Sequence, residues 1–106
     1  MRKITYHKLI RDKIPEIIEA QGKTCVTETL SEEAYIQMLD AKLNEELAEY
    51  QESKSLEELA DLLEVMEATA IARGYSWEQL LQVRDEKRDQ RGGFADRILL
   101  KEVIEL

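Results

Sequence analysis

The chain has 106 residues, 43% hydrophobic and 36% charged, with 15 Lys and Arg against 23 Asp and Glu, a formal net charge of −8. That length fits one domain, 1–106, and the acidic balance argues against a nucleic-acid polymer or an anionic membrane surface as partner, since both require a basic face. One Cys and one His exclude an intrachain disulfide and all but exclude zinc or Cys/His catalytic sites, leaving carboxylate and cation chemistry.

No apolar run approaches a membrane span, and the opening residues lack the apolar stretch of a secretion signal, so a cytoplasmic setting is expected. With 4 Gly and 1 Pro, long helices and short connections are predicted. The first helix is expected from about Asp12, as N-cap, to Gln21, with Pro15 in the first turn and Gly22 as the stop. Residues 23–28 read as a short extended piece or a loop. A second helix follows Ser31 to about Glu52, its stripe marked by Tyr35, Leu39, Leu43, Leu47 and Tyr50. Ser55 opens Ser-x-x-Glu, a capping-box pattern, for a third helix to Arg73. Ser76 opens Ser-x-x-Gln for a fourth to about Gln90, ended by Gly92-Gly93. The tail from Phe94 reads as a turn plus a short helix or extended segment.

Charge is distributed unevenly. Residues 28–67 hold thirteen acids and two bases, Lys42 and Lys54. At about 100° per residue, Glu46 falls beneath Leu39 and between Leu43 and Tyr50, inside the apolar stripe. Glu49 lies one turn on, and Glu45 stands beside the same edge. On the third helix Leu56, Leu59, Leu63, Met66 and Ala70 line one face and Leu62, Val65, Ala68 and Ala72 another, which predicts a largely buried helix. Glu58 and Asp61 fall with Val65 and Ala72, away from the solvent strip.

Carboxylates turned toward a helical interior are costly unless a cation faces them. The two helices supply few bases, so a divalent ion is favoured, and all-oxygen ligands select Mg²⁺ or Mn²⁺. Glu46 with Glu49, and Glu58 with Asp61, each spaced i, i+3, would form a four-carboxylate cage. Separately, Ser55 offers an alternative, purely structural reading of Glu58, as N3 of the capping box it opens.

Glu45-Glu46-Leu47-Ala48-Glu49 followed by Glu58-Leu59-Ala60-Asp61 resembles the signature of the all-α nucleoside triphosphate pyrophosphohydrolases, the superfamily of MazG-like enzymes and phosphoribosyl-ATP pyrophosphohydrolase. The opening Lys8-Leu9-Ile10-Arg11-Asp12-Lys13-Ile14-Pro15-Glu16-Ile17-Ile18, and Lys87-x-x-x-Arg91-Gly92-Gly93-Phe94-x-x-Arg97, look like its compact house-cleaning subgroup. The resemblance implies an all-α fold, a four-helix-bundle core completed by homodimerisation or a dimer of dimers, and Mg²⁺-dependent cleavage of a nucleoside triphosphate to monophosphate and pyrophosphate. It implies Glu46, Glu49, Glu58 and Asp61 as metal ligands and Glu45 as general base or outer-shell residue. Lys8, Arg11, Lys13, Lys87, Arg91 and Arg97 would hold phosphates. Phosphoribosyl-ATP as substrate, and a non-catalytic acidic helical module, are the alternatives. The gap between the acid motifs is shorter than in MazG proper, and Gly-Gly stands where MazG-like chains often carry Lys or Asn, so base selectivity does not transfer.

Overall fold

The computed structural model describes residues 2–106; among them are four α-helices and no strand. These are α1 (Ile14–Ala20), α2 (Glu32–Ser53), α3 (Leu56–Ala72) and α4 (Trp77–Arg91), so the all-α expectation holds. The chain divides into two compact units, Met1–Tyr75 and Ser76–Leu106.

In the first unit, α2 and α3 form an antiparallel hairpin. Ser31 starts α2, its hydroxyl accepting from the Ala34 N–H at 3.2 Å, and Ser55 starts α3 by accepting from the Glu58 N–H at 3.3 Å. Lys54 makes the reversal in left-handed backbone (φ 59°) with its N–H on the Tyr50 carbonyl at 2.7 Å, so two residues suffice between the helices. Leu39 and Val65 are the buried apolar residues, and Glu46 is buried beside them. Arg73 closes the far end on Asp40 at 2.8 Å.

Two expectations need correction here. Helix α3 is not largely buried: it packs on α2 through the face of Leu62 and Val65. Leu56, Leu59, Leu63 and Met66 stay 42–77% exposed, because within the first unit only α2 packs along α3. Asp12 does not cap α1. Lys13 holds the N-cap position with no side-chain bond, and the helix is only seven residues long, ending where Gly22 (φ 81°) turns its N–H back to the Glu19 carbonyl. Residues 23–30 form neither helix nor strand.

In the second unit, the Ser76 box is closed in both directions. The Ser76 hydroxyl accepts from the Gln79 N–H, and the Gln79 side chain accepts from the Ser76 N–H. Gly92 (φ 83°) ends α4 with its N–H on the Arg88 carbonyl. After a turn that places the Arg97 N–H on the Phe94 carbonyl, the tail is irregular, and Ile98, Leu99, Leu100, Val103 and Ile104 are exposed. Among the described residues, no helix is long and apolar enough to cross a membrane.

Candidate metal centre

The hairpin brings the two acid motifs together. Glu45, Glu46 and Glu49 of α2 can each offer an oxygen within 4.8 Å of the others, and so can Glu46, Glu58 and Asp61 across the two helices. Glu46 belongs to both groups and is only 7% exposed, as its helical phase predicted. Its Oε1 lies 3.5 Å from the Lys42 ammonium, while Oε2 is buried without a donor.

Glu58 repeats that condition. Its backbone N–H serves the Ser55 cap, but its side chain does not close the box: the Ser55 N–H goes to the Ser53 hydroxyl instead, at 3.2 Å. The Glu58 carboxylate points into the cluster, and its Oε2 is buried and unpartnered. Unlike the Gln79 side chain in the fully closed Ser76 box, the Glu58 side chain takes no part in its cap.

Both groups are held above the ordinary glutamate range. For Glu46 the first cause is burial, then the neighbouring Glu49, through a shared hydrogen bond and through charge, with Asp61 adding and Lys42 opposing. For Glu58 desolvation again leads, followed by the charges of Glu49 and Asp61 and by hydrogen bonds to the same two. Ionised carboxylates have no proton to donate to one another, so the unpartnered oxygens of Glu46 and Glu58 call for a proton, a cation or another hydrogen-bond donor.

The chain's own bases supply part of the counter-charge. Lys42 reaches Glu45 at 3.3 Å as well as Glu46, Lys8 reaches Glu45 at 3.9 Å, and Arg11 donates from Nη2 to Asp61 Oδ1 at 2.7 Å. The two helices themselves supply few bases, as expected; the segment before α1 adds two more, Lys8 and Arg11. Lys54 does not contribute; its ammonium lies over the Tyr50 ring at 5.7 Å. Five carboxylates meet three cations, leaving two negative charges unmatched when all are ionised. One divalent ion would balance them, and an all-oxygen donor set suits Mg²⁺ or Mn²⁺, so the residues present fit that group.

Beside the cluster lies an open cleft of about 260 Å³, with Lys8, Arg11, Lys42, Glu46 and Asp61 among its walls. It is smaller than the pockets that enclose drug-sized ligands.

The predicted phosphate-binding bases divide into two groups. Lys8 and Arg11 stand at the acids. Lys13 sits at the N-cap of α1 and makes no ion pair among the described residues. Lys87, Arg91 and Arg97 belong to the second unit and are exposed; Lys87 and Arg91 share a face of α4, and Arg97 adopts left-handed backbone (φ 57°). Sequence reasoning missed Lys42 as a cluster member, although its i, i+3 and i, i+4 spacing to Glu45 and Glu46 was a usable signal. It placed Arg11 on phosphate and had no local signal for a pair with Asp61, fifty residues away.

No family model matches the chain, and no solved structure matches it. A protein of Mycolicibacterium smegmatis (strain ATCC 700084 / mc(2)155), described only as uncharacterized, is 57% identical over 42 residues. That stretch is 40% of this chain and 43% of the relative, so the match spans less than half of either protein.

Proposed function

We propose that this chain is a Mg²⁺-dependent nucleoside triphosphate pyrophosphohydrolase of the MazG-like, house-cleaning kind, cleaving the α–β anhydride to a nucleoside monophosphate and pyrophosphate. The observation that carries the reading is the pair of buried, donorless oxygens, Glu46 Oε2 and Glu58 Oε2, in a cluster whose five carboxylates, when all are ionised, outnumber its cations by two. Glu46, Glu49, Glu58 and Asp61 would hold Mg²⁺, or Mn²⁺ in its place. When bound, the ion supplies Lewis acidity and lowers the pKa of a coordinated water. Glu45, paired with Lys8 and Lys42, would accept the proton that the attacking water loses. Lys8 and Arg11, at the cleft, bind phosphate oxygens and offset charge that develops on them. Lys13, Lys87, Arg91 and Arg97 join them in this reading on the strength of the motif resemblance alone.

The exposed stripe of Leu59, Leu63 and Met66 supports association of two hairpins into a four-helix bundle, as a homodimer or a dimer of dimers. A cytoplasmic setting accords with a nucleotide substrate.

The test is pyrophosphate release from a panel of ordinary, deoxy and oxidised triphosphates and phosphoribosyl-ATP, with and without Mg²⁺. Release that requires Mg²⁺ and is lost in Glu46→Gln and Asp61→Asn, with helicity kept, is expected; full activity in either variant rejects the cage. A second reading, an acidic helical module that receives Arg or Lys from a partner protein, is favoured by the cluster's own pairs with Arg11 and Lys42. It predicts no release and no thermal response to Mg²⁺.

A further inference from the structure

We propose that Arg11 is a built-in competitor of the divalent cation: it neutralises Asp61 in the ion-free chain and is released to substrate phosphate when the ion binds. The inference rests on the metal reading above and names how that site is regulated. Three observations carry it. Arg11 takes Asp61 Oδ1 at 2.7 Å, the shortest of the pairs on the cluster, so the carboxylate needed by the ion is already engaged by a guanidinium.

Second, the cations differ in how firmly they are held. Lys42 is carried on α2, bridges Glu45 and Glu46 one turn away, and has a side chain only 17% exposed. Arg11 lies in the irregular segment ahead of α1, its backbone anchored where the Ile14 N–H meets the Arg11 carbonyl, while its side chain is 58% exposed and borders open solvent. Of the two, Arg11 is the exchangeable one.

Third, the requirement for an ion remains after Arg11 is in place. Glu46 is more than nine-tenths buried and its Oε2 still lacks a donor, so the internal cations satisfy Asp61 and Glu45 without completing the cluster. An ion seated among Glu46, Glu58 and Asp61 would repel the guanidinium from Asp61. The displaced fork remains beside the cleft, where a phosphate presents a matching pair of oxygens. Ion and phosphate therefore assist each other, since each draws Arg11 off or replaces it.

The experiment is a calorimetric Mn²⁺ titration of the whole chain, without nucleotide, for wild type, Arg11→Met and Arg11→Lys, with circular dichroism to verify helicity. Arg84→Met is the charge control, because Arg84 pairs with Asp85 on its own helix. Freeing an exposed pair's carboxylate corresponds to about 2–5-fold tighter Mn²⁺ binding in Arg11→Met, with no change in Arg84→Met. Arg11→Lys, which keeps charge but loses the fork, falls between wild type and Arg11→Met. The rise in melting temperature on adding Mn²⁺ is correspondingly larger in Arg11→Met. Affinity equal to or weaker than wild type in Arg11→Met overturns the competitor role while leaving the metal site standing. Absence of Mn²⁺ binding in wild type and in every variant overturns the metal reading, and the competitor with it.

Discussion

Replacing Glu46 by Gln should change the sign of its effect on stability according to whether Mg²⁺ is present. In the ion-free chain, Glu46 carries a buried oxygen without a donor, and such a group costs about 1–3 kcal/mol. The opposing loss is its pair with Lys42, an i, i+4 contact of about 0.3–0.5 kcal/mol. Gln keeps the volume, removes the charge and provides an amide N–H for the neighbouring Glu49 or Asp61 carboxylate. The net is about 1 kcal/mol in favour of Glu46→Gln, or about 4–8 °C in melting temperature for a domain of this size. With Mg²⁺ at about 100 times its dissociation constant, wild type gains about 2.7 kcal/mol and the variant, short of one ligand, gains little. The order then reverses. Thermal melts followed by circular dichroism, in EDTA and in Mg²⁺, read both halves. A variant less stable than wild type in EDTA would mean that Glu46 serves Lys42 as a structural partner. Equal stabilisation of both proteins by Mg²⁺ would refute the ligand role.

Other outcomes follow from the same geometry. Because Glu46 and Glu58 bind protons more readily folded than unfolded, their burden on the fold is present above the raised folded pKa. It lifts as pH falls toward the ordinary glutamate value of 4.5. The stability of wild type, measured in EDTA relative to a Glu46→Gln, Glu58→Gln double variant, should therefore rise as the pH is lowered through that window; a flat difference would contradict it. If the proposed homodimer forms through the exposed stripe of α3, wild type sediments as a dimer and Leu63→Glu as a monomer without loss of helicity; a monomeric wild type, or an unchanged mass in the variant, contradicts it. Ser76→Ala should cost about 0.5–2 kcal/mol and fray the start of α4, visible as faster amide exchange at residues 77–80.

Helix positions were legible because the signals are local. Ser31, Ser55 and Ser76 each cap the helix that follows, and Gly22 and Gly92 end theirs. The inward phase of Glu46 was legible for the same reason: one helix's periodicity sufficed to place it under Leu39. What escaped depends on distant parts of the chain. The Arg11–Asp61 pair requires the opening segment to fold back on α3, which no spacing rule encodes. The burial of α3 was overestimated because an apolar face shows what a helix can bury, not whether one chain contains the partner to bury it. Glu58 shows a different limit. Its Ser-x-x-Glu fits the same capping-box pattern as the Ser-x-x-Gln of Ser76, yet one box closes and the other does not, because the Ser55 N–H is taken by the Ser53 hydroxyl.

The two-residue reversal at Lys54-Ser55 also sets how this chain can tolerate insertion. Glu49 lies just before the bend and Glu58 just after it, so their facing depends on the rotational setting of each helix at that corner. One residue added within the first turn of α3 would rotate Glu58 and Asp61 by about 100° away from Glu46. The same addition in the irregular stretch at 23–30 would leave that alignment untouched. Length variation among homologous chains should accordingly concentrate in that stretch and spare the corner.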